Sequence, residues 1–315
     1  MTSTHPRAFV LDGSESRTEV PLTDAVGLAN RGVVVQIEHA LDHLGFLAQF
    51  EELYLNGIAQ VAPPEAVEHL RSQGLQRMHD VLTPEQIAEL LPVLDRQAKP
   101  LAIPVASGIV ALGSQGSQGA RSYFICSRTW VRAQVPYRLV ADDAAIRSLG
   151  HLSGHLVPTS AHRDVDLTHP RGTLSLWAAV VPIGLDNTIE LFDVQRSPAD
   201  SSTEHPDART VRPVLGPGDV VLFDADRLHA SVPNTTDDTR VSIGTRVVFG
   251  RTLHYGPGTH WRPFYDARLL GTPLEPLATL QSRCTVAALR RWQWQRAWRR
   301  QQARARQDSH TELVT

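Results

Sequence analysis

The sequence predicts a mainly β protein with flanking helices, and three observations lead to that class. Between Pro100 and Gly250, short runs rich in β-branched and aromatic residues alternate with Gly, Ser and Pro. From Leu22 to Arg96, apolar residues recur at three- and four-residue spacing, which is typical of helices. The composition, 42% hydrophobic and 20% charged, is that of a globular protein. We therefore expect a sandwich or barrel buttressed by helices, not a parallel α/β sheet.

The N-terminal third divides into a loose arm and a helical layer. Residues 1–22 are polar apart from one short strand, AFVLD, and residues 23–99 form the predicted buttress. One helix of this layer should end near Asn56. Another should begin at Thr83, followed by Pro84 and, three residues on, by Gln86, which together predict a capping box. The apolar faces of these helices need a sheet to cover.

Residues 100–266 form the predicted β core, and residues 267–315 a C-terminal helix and tail, all within one integrated domain. A short helix is expected at 141–149. The predicted strands of the core are LAIPVASGIVAL, SYFICSRTWV, GHLVPTS, GTLSLWAAVVPI, TIELFDV, DVVLFDA and RVSIGTRVVFG.

The C-terminal segment is rich in arginine and tryptophan. Eight arginines lie between Arg283 and Arg306, together with Trp292, Trp294 and Trp298. Such a segment suits phosphates and bases, or it is an amphipathic helix that packs or dimerises through its tryptophans. We favour the second interpretation, because a net charge of -2 gives no general indication of a nucleic-acid partner.

Composition also bounds the compartment. The two cysteines, Cys126 and Cys284, are far apart and form no disulfide framework. The first twenty residues contain no apolar signal region, and no run of eighteen apolar residues occurs. We expect a cytoplasmic protein without a membrane partner.

The chemistry-bearing motif is His162-Arg163-Asp164. In an extended strand, residues two apart point to the same side, so one imidazole and one carboxylate would face a common point. His229 follows the GPGD turn and the VVLFDA strand, and it completes a set of two histidines and one carboxylate. That set holds non-haem iron(II) on one face and leaves the other face open.

A strand beginning at Arg240 follows the second histidine. Alternation places Arg240, Ser242, Gly244 and Arg246 on one face of it. An arginine that faces the interior beside a metal site requires an anion, since an unpaired buried charge is too costly. Its guanidinium fork suits a carboxylate, which it binds through two parallel hydrogen bonds.

This ordered set of residues resembles the iron(II)/2-oxoglutarate-dependent oxygenases, and most closely their phytanoyl-CoA dioxygenase branch. The segment DLTHPRGTLSLW is also similar to dioxygenases of bacterial antibiotic pathways. The resemblance covers about residues 80–250 and is strongest over 158–249.

The resemblance implies a double-stranded β-helix, or jelly-roll, core that uses Fe(II), 2-oxoglutarate and O2. The implied reaction hydroxylates, desaturates or cyclises a small secondary metabolite and releases succinate and CO2. Asp164 favours oxygenation over halogenation, because the related halogenases place a small residue at that position. The implied iron ligands are His162, Asp164 and His229; the implied cosubstrate contacts are Arg240, Ser231, Trp177 and Ser242.

Several alternatives stay open at this point. The same chemistry could act on a protein- or carrier-bound substrate docked on the C-terminal helix, or the chain could be a cupin-like metal protein that does not use 2-oxoglutarate. Arg121 and Tyr123 share a strand face and are candidates for binding substrate or for ordinary packing. Arg246 could hold a substrate anion or pair with a structural carboxylate. Residues 186–198 depart from the glycine-rich turn of the family, so the resemblance does not carry the substrate over.

Overall fold

The structure is a computed structural model. It describes the following residues: 5–13, 16–114, 122–142, 155–167, 169–193, 209–255, 263–282, 284–285, 290–291 and 294.

A nine-stranded antiparallel sheet forms the frame of the molecule. Its strands run in the order β12-β4-β11-β6-β9-β3-β1-β2, and β5 pairs with β11 beside this path. The longest strand, β11, is flanked by β6 along most of its length and by β5 and β4 in succession on its other side. The strands are β1 Arg7–Leu11, β2 Arg17–Val20, β3 Val35–Glu38, β4 Tyr123–Cys126, β5 Trp130–Gln134, β6 Thr173–Ala179, β9 Val220–Asp224, β11 Arg240–Phe249 and β12 Phe264–Asp266.

A second, three-stranded antiparallel sheet packs against one face of the first. It consists of β7 Ile189–Phe192, β8 Thr210–Val211 and β10 His229–Ser231, in the order β10-β7-β8. Buried side chains from both sheets meet between them, including Trp177 and Phe223 from the large sheet and Ile189 and Leu191 from the small one. Alternate residues of each strand face this core, because successive side chains of a strand point to opposite faces.

Helices cover the other face of the large sheet. Their apolar sides and the outward side chains of the sheet form one continuous core. These helices are α1 Ala25–Ala29, α2 Ala40–His43, α3 Leu47–Ile58, α4 Pro64–Gln73, α5 Pro84–Ala98 and α6 Ala102–Leu112. A further short helix, α7 Asp164–Leu167, follows the bridge between His162 and His229. Residues 275–282 are also helical. The predicted class, mainly antiparallel β with flanking helices, is confirmed.

Helix α5 begins as its sequence predicts. Thr83 Oγ1 accepts from the Gln86 backbone N–H at 3.4 Å, and Gln86 Oε1 accepts from the Thr83 N–H at 2.9 Å. This reciprocal capping box satisfies two backbone donors that would otherwise lack partners.

The run LAIPVASGIVAL was expected to be a strand, and that prediction is wrong, because it forms α6. Its buried residues include Ala102, Val105, Ala106 and Ile109, which is helical spacing. Because nearly every residue of this run is apolar, neither helical nor strand periodicity can be recognised in its sequence.

The strand prediction is also wrong for His162-Arg163-Asp164. His162 makes a single antiparallel bridge to His229, but Asp164 begins the short helix α7. A strand that was not predicted, Val35–Glu38, lies within the segment that was predicted to be helical. It belongs to the large sheet, where it pairs with β9. Both differences arise from long-range pairing, which local patterns do not reveal.

Other predictions have mixed outcomes. The strand in AFVLD is confirmed as β1. The described part of GHLVPTS, residues 155–160, is turn and irregular chain with a single bridge residue, so a strand there is wrong. Most of the predicted helix at 141–149 and most of the arginine-rich segment lie outside the described residues. Among the described residues, no helix is long and apolar enough to cross a membrane.

Candidate metal centre

Three potential metal ligands meet where the small sheet approaches α7. The backbones of His162 and His229 are hydrogen-bonded to each other in both directions, each at 2.9 Å. Asp164, at the first position of α7, lies beside them. One ligand atom from each of the three residues lies within 4.8 Å of the other two.

The two imidazoles present their Nε2 atoms to the carboxylate. His162 Nε2 lies 3.7 Å and His229 Nε2 3.9 Å from Asp164 Oδ1. Each Nδ1 lies near a backbone carbonyl, that of Ser160 at 2.9 Å and that of Arg227 at 3.0 Å. Because a carbonyl oxygen only accepts, each Nδ1 carries the proton and each Nε2 offers its lone pair to the shared point.

The two oxygens of Asp164 have different surroundings. Oδ2 accepts from Arg246 Nε at 2.9 Å, from Arg246 Nη2 at 2.8 Å and from Ser175 Oγ at 3.2 Å. Burial alone would raise the pKa of this carboxyl, but the Arg246 guanidinium and the neighbouring histidines hold the pKa well below its usual range. Asp164 is thus a carboxylate with Oδ2 occupied by Arg246 and Ser175 and Oδ1 directed at the histidines.

Burial keeps His229 neutral. Its side chain is buried, which lowers its pKa to about 4, although Asp164 partly counteracts the shift. A neutral imidazole is the metal-binding form. Two imidazoles and one carboxylate, whose ligand atoms converge within 4.8 Å of one another, fit iron(II).

Arg240 lies in the same cleft, almost fully buried at 1% exposure. Its Nη1 donates to the carbonyls of Asn187 at 2.9 Å and Thr188 at 2.8 Å, and the guanidinium lies 5.5 Å from the Trp177 ring centroid. Burial, and then the positive charge of Arg132, lower its pKa to about 9. Its Nε has no hydrogen-bond partner among the described residues. This buried cation therefore lacks a counter-ion in the described part of the protein, which suits it to bind a carboxylate.

The remaining predicted cosubstrate contacts surround Arg240. The Trp177 indole N–H donates to Ser242 Oγ at 3.2 Å, which fixes both side chains. Ser231, two residues past His229, is buried beside them. The cleft encloses about 380 Å³ of space, including the part that opens to solvent. It is lined by Arg132, Thr159, His162, Trp177, Ile189, Phe223, His229, Ala230, Ser231, Arg240 and Arg246.

The predicted substrate-binding residues do not all reach this cleft. Tyr123 lies opposite Phe249 and packs with it on the helix-covered face of the large sheet, away from the cleft. Arg121 lies outside the described residues. Of the two alternatives for Arg246, a substrate anion or a carboxylate of the protein, the structure shows the second, because Arg246 pairs with Asp164. Arg163 donates to the Asp226 carbonyl and has no part in the cleft.

Two residues of the site were not anticipated from the sequence. Ser175 lies on β6 and contacts the metal-facing carboxylate, and Arg132 lies on β5 in the wall of the cleft. Alternation within WVRAQ placed Arg132 on one face with Trp130 and Gln134, but only the pairing of β5 with β11 shows that this face meets the metal centre.

Residues 151–242 match the family model of phytanoyl-CoA dioxygenase (PhyH), which confirms the resemblance inferred from the motifs. No curated protein matches the chain.

Solved structures with a similar chain trace include three non-haem enzymes. The 2-oxoglutarate-dependent epimerase SnoN from nogalamycin biosynthesis is 16% identical over 72% of this chain and 82% of that chain, with a TM-score of 0.42. The 2-oxoglutarate-dependent carbocyclase SnoK of the same pathway is 17% identical over 52% of this chain, with a TM-score of 0.37, and the match spans only 63% of SnoK. The monooxygenase ThoJ is 15% identical over 81% of this chain and 92% of that chain, with a TM-score of 0.37.

Proposed function

We propose that this chain, whose residues 151–242 carry a phytanoyl-CoA dioxygenase domain, is an iron(II)- and 2-oxoglutarate-dependent dioxygenase that hydroxylates, desaturates or cyclises a small secondary metabolite. The observation that carries the proposal is one cleft containing both a converging His-Asp-His set and a buried arginine without a counter-ion. The likeness of residues 166–177 to dioxygenases of antibiotic pathways supports a secondary metabolite as substrate.

Different side chains of the cleft would bind the iron and the cosubstrate. His162, Asp164 and His229 would hold the iron through Nε2, Oδ1 and Nε2, which face one another beside the cleft. When bound, iron with 2-oxoglutarate and O2 supplies the oxidising power that attacks a substrate C–H bond, with release of succinate and CO2. Everything else is positioning and exclusion of water.

Arg240 would bind the distal carboxylate of 2-oxoglutarate. Its position is fixed by the carbonyls of Asn187 and Thr188 and by the Trp177 ring, so the free edge of the fork is already oriented. A fixed fork loses little conformational entropy on binding and favours a dianion over its neutral analogues. Ile189 and Phe223 supply apolar walls that limit access of water.

The test compares 2-oxoglutarate binding and consumption in wild-type protein, Arg240→Gln and the control Arg209→Gln, whose side chain is 81% exposed. We expect succinate formation with Fe(II) and O2 in wild type and control. In Arg240→Gln, the affinity for 2-oxoglutarate should fall about tenfold or more, because the distal carboxylate loses a charged partner. Unchanged affinity and turnover in Arg240→Gln would show that Arg240 does not bind the cosubstrate. No 2-oxoglutarate binding and no succinate in wild type would favour a metal protein that does not use 2-oxoglutarate.

A further inference from the structure

Arg132 is a second cation in the cleft with no assigned partner. It lies on β5 directly opposite Ser242 of β11, and it lines the cleft together with Arg240 and Arg246. The two strands thus place three guanidiniums on the sheet face that carries the metal centre.

Gly244 makes room for two of these guanidiniums. A Cβ at this position would lie 3.1 Å from Arg246 Nη1 and 3.6 Å from Arg132 Nη1. Two like charges therefore lie close together over the one residue of β11 that has no side chain. Such an arrangement requires negative charge nearby, since like charges repel strongly where water is excluded.

Among the described residues, no carboxylate forms a hydrogen bond or an ion pair with Arg132, although Asp164 and Asp95 act on it electrostatically from further away. The Nε of Arg132 is shielded from solvent and has no hydrogen-bond partner among those residues. The closest candidates are already engaged: Asp164 binds Arg246, and Asp95 binds Arg128 at 2.7 Å and the Val131 N–H at 2.8 Å. Burial, and then Arg246, lower the pKa of Arg132 to about 10, so it is still a cation at neutral pH.

The cosubstrate does not remove this excess of charge. Among the described residues around the cleft, Arg132, Arg240 and Arg246 carry three positive charges against the one negative charge of Asp164, an excess of two. Iron(II) adds two positive charges and 2-oxoglutarate two negative charges, so the excess is the same in the loaded site. One further anion has to enter with the reactants if the buried cations are to be offset.

We infer that the primary substrate carries a carboxylate and that Arg132 binds it. The inference rests on the proposed function and names its substrate class. A single guanidinium fork suits a planar carboxylate, which takes two parallel hydrogen bonds from one arginine. Because Arg132 stands beside the metal ligands, a substrate held in this way lies next to the reacting centre. Arg132 is then a residue that sets specificity for acids.

The test uses protein loaded with Zn(II), a redox-inert stand-in for iron(II), and saturated with 2-oxoglutarate, so that Arg240 is occupied. Ligand-observed NMR compares the binding of benzoate with benzamide and of hexanoate with hexanamide. We expect each acid to bind wild type and Arg209→Gln about tenfold or more tightly than its amide. Arg132→Gln should bind acid and amide equally, with its dissociation constant for 2-oxoglutarate changed less than about twofold.

Three results would overturn the inference. Wild type could bind acids and amides alike, or Arg132→Gln could keep the preference for acids. In the third, Arg132→Gln loses affinity for 2-oxoglutarate, which would assign Arg132 to the cosubstrate. None of these results affects the Arg240→Gln test of the proposed function. If Arg132→Gln does not fold, Arg132→Lys decides: weaker acid binding with unchanged amide binding supports the inference, and unchanged acid binding overturns it.

Discussion

At the scale of single residues, the site depends on how Asp164 divides its two oxygens. Arg246 and Ser175 occupy Oδ2, and Oδ1 faces His162 and His229. This division orients the carboxylate for one-oxygen coordination before any metal arrives. Arg246 therefore positions the metal ligand and also stabilises a buried charge.

Removing Arg246 tests this double role. Arg246→Gln should destabilise chelator-treated protein by about 3–5 kcal/mol, because Asp164 becomes a buried charge without its partner. The double variant Arg246→Gln/Asp164→Asn should recover a large part of that loss, since the uncompensated charge is gone. Chemical denaturation measures both. A double variant no more stable than Arg246→Gln would show that the carboxylate charge is not the cause.

His229 makes stability depend on pH. Its pKa is about 4 in the folded protein and about 6.5 when unfolded, so between these values the unfolded chain binds more protons. The stabilisation is fully present above pH 6.5 and is lost as pH falls toward 4. Asp164, whose folded pKa is also depressed, acts in the same direction at lower pH.

We expect metal-free wild type to lose about 2 kcal/mol more than His229→Asn between pH 7 and pH 5. Urea unfolding at the two pH values measures the difference. Other buried histidines such as His79 and His155, whose pKa values are also lowered by burial, are common to both proteins and cancel. Equal losses in the two proteins would contradict the assignment of a buried, neutral His229.

At the scale of elements, the parts readable from the sequence are those fixed by local chemistry. The start of α5 at Thr83 is one example, and the short strands between turns are another. Helix α6 was misread because its residues are almost all apolar, so neither helical nor strand spacing stands out. The sequence correctly predicted that Asp164 and His162 face a common point, but from the alternation of a strand. In the structure Asp164 reaches this point as the first residue of a helix.

The capping box of α5 offers a test confined to one element. Thr83→Ala should lower the free energy of unfolding by about 1 kcal/mol, because the Gln86 N–H loses its side-chain acceptor at the start of α5. Thr83→Ser keeps the hydroxyl and should lie close to wild type. Denaturant midpoints at constant slope measure both. If Thr83→Ala and Thr83→Ser had equal free energies of unfolding, the capping hydrogen bond would not contribute to stability.

At the scale of the whole molecule, two sheets and a helical layer bring together residues that are far apart in the sequence. His229 and Arg240 were predictable because spacing and turn context placed each next to the end or start of a strand, which the structure confirms. Arg132 was not, because its role depends on β5 pairing with β11, more than a hundred residues further along the chain. For Tyr123 the sequence left substrate binding and ordinary packing open, and only the pairing of β4 with β11 shows that it packs on the helix-covered face. The division into an arm, a buttress, a core and a tail stays a prediction.

Metal binding should stabilise the whole fold, because the three ligands come from parts of the chain that are far apart in sequence. Asp164 belongs to α7, His162 to the segment just before α7, and His229 to β10. Zn(II) at about one hundred times its dissociation constant should add about 2.7 kcal/mol to the free energy of unfolding. His162→Ala should show no such gain. An equal rise in melting temperature in that variant would place the metal elsewhere.

The most direct test of the central claim is anaerobic titration with Fe(II), followed by 2-oxoglutarate, in wild type and Asp164→Ala. The account predicts one Fe(II) per wild-type chain and tight binding of one 2-oxoglutarate only once the iron is bound. It predicts loss of stoichiometric iron binding in Asp164→Ala, because Oδ1 is the anionic ligand of the set. Full iron binding and unchanged 2-oxoglutarate binding in Asp164→Ala would contradict it.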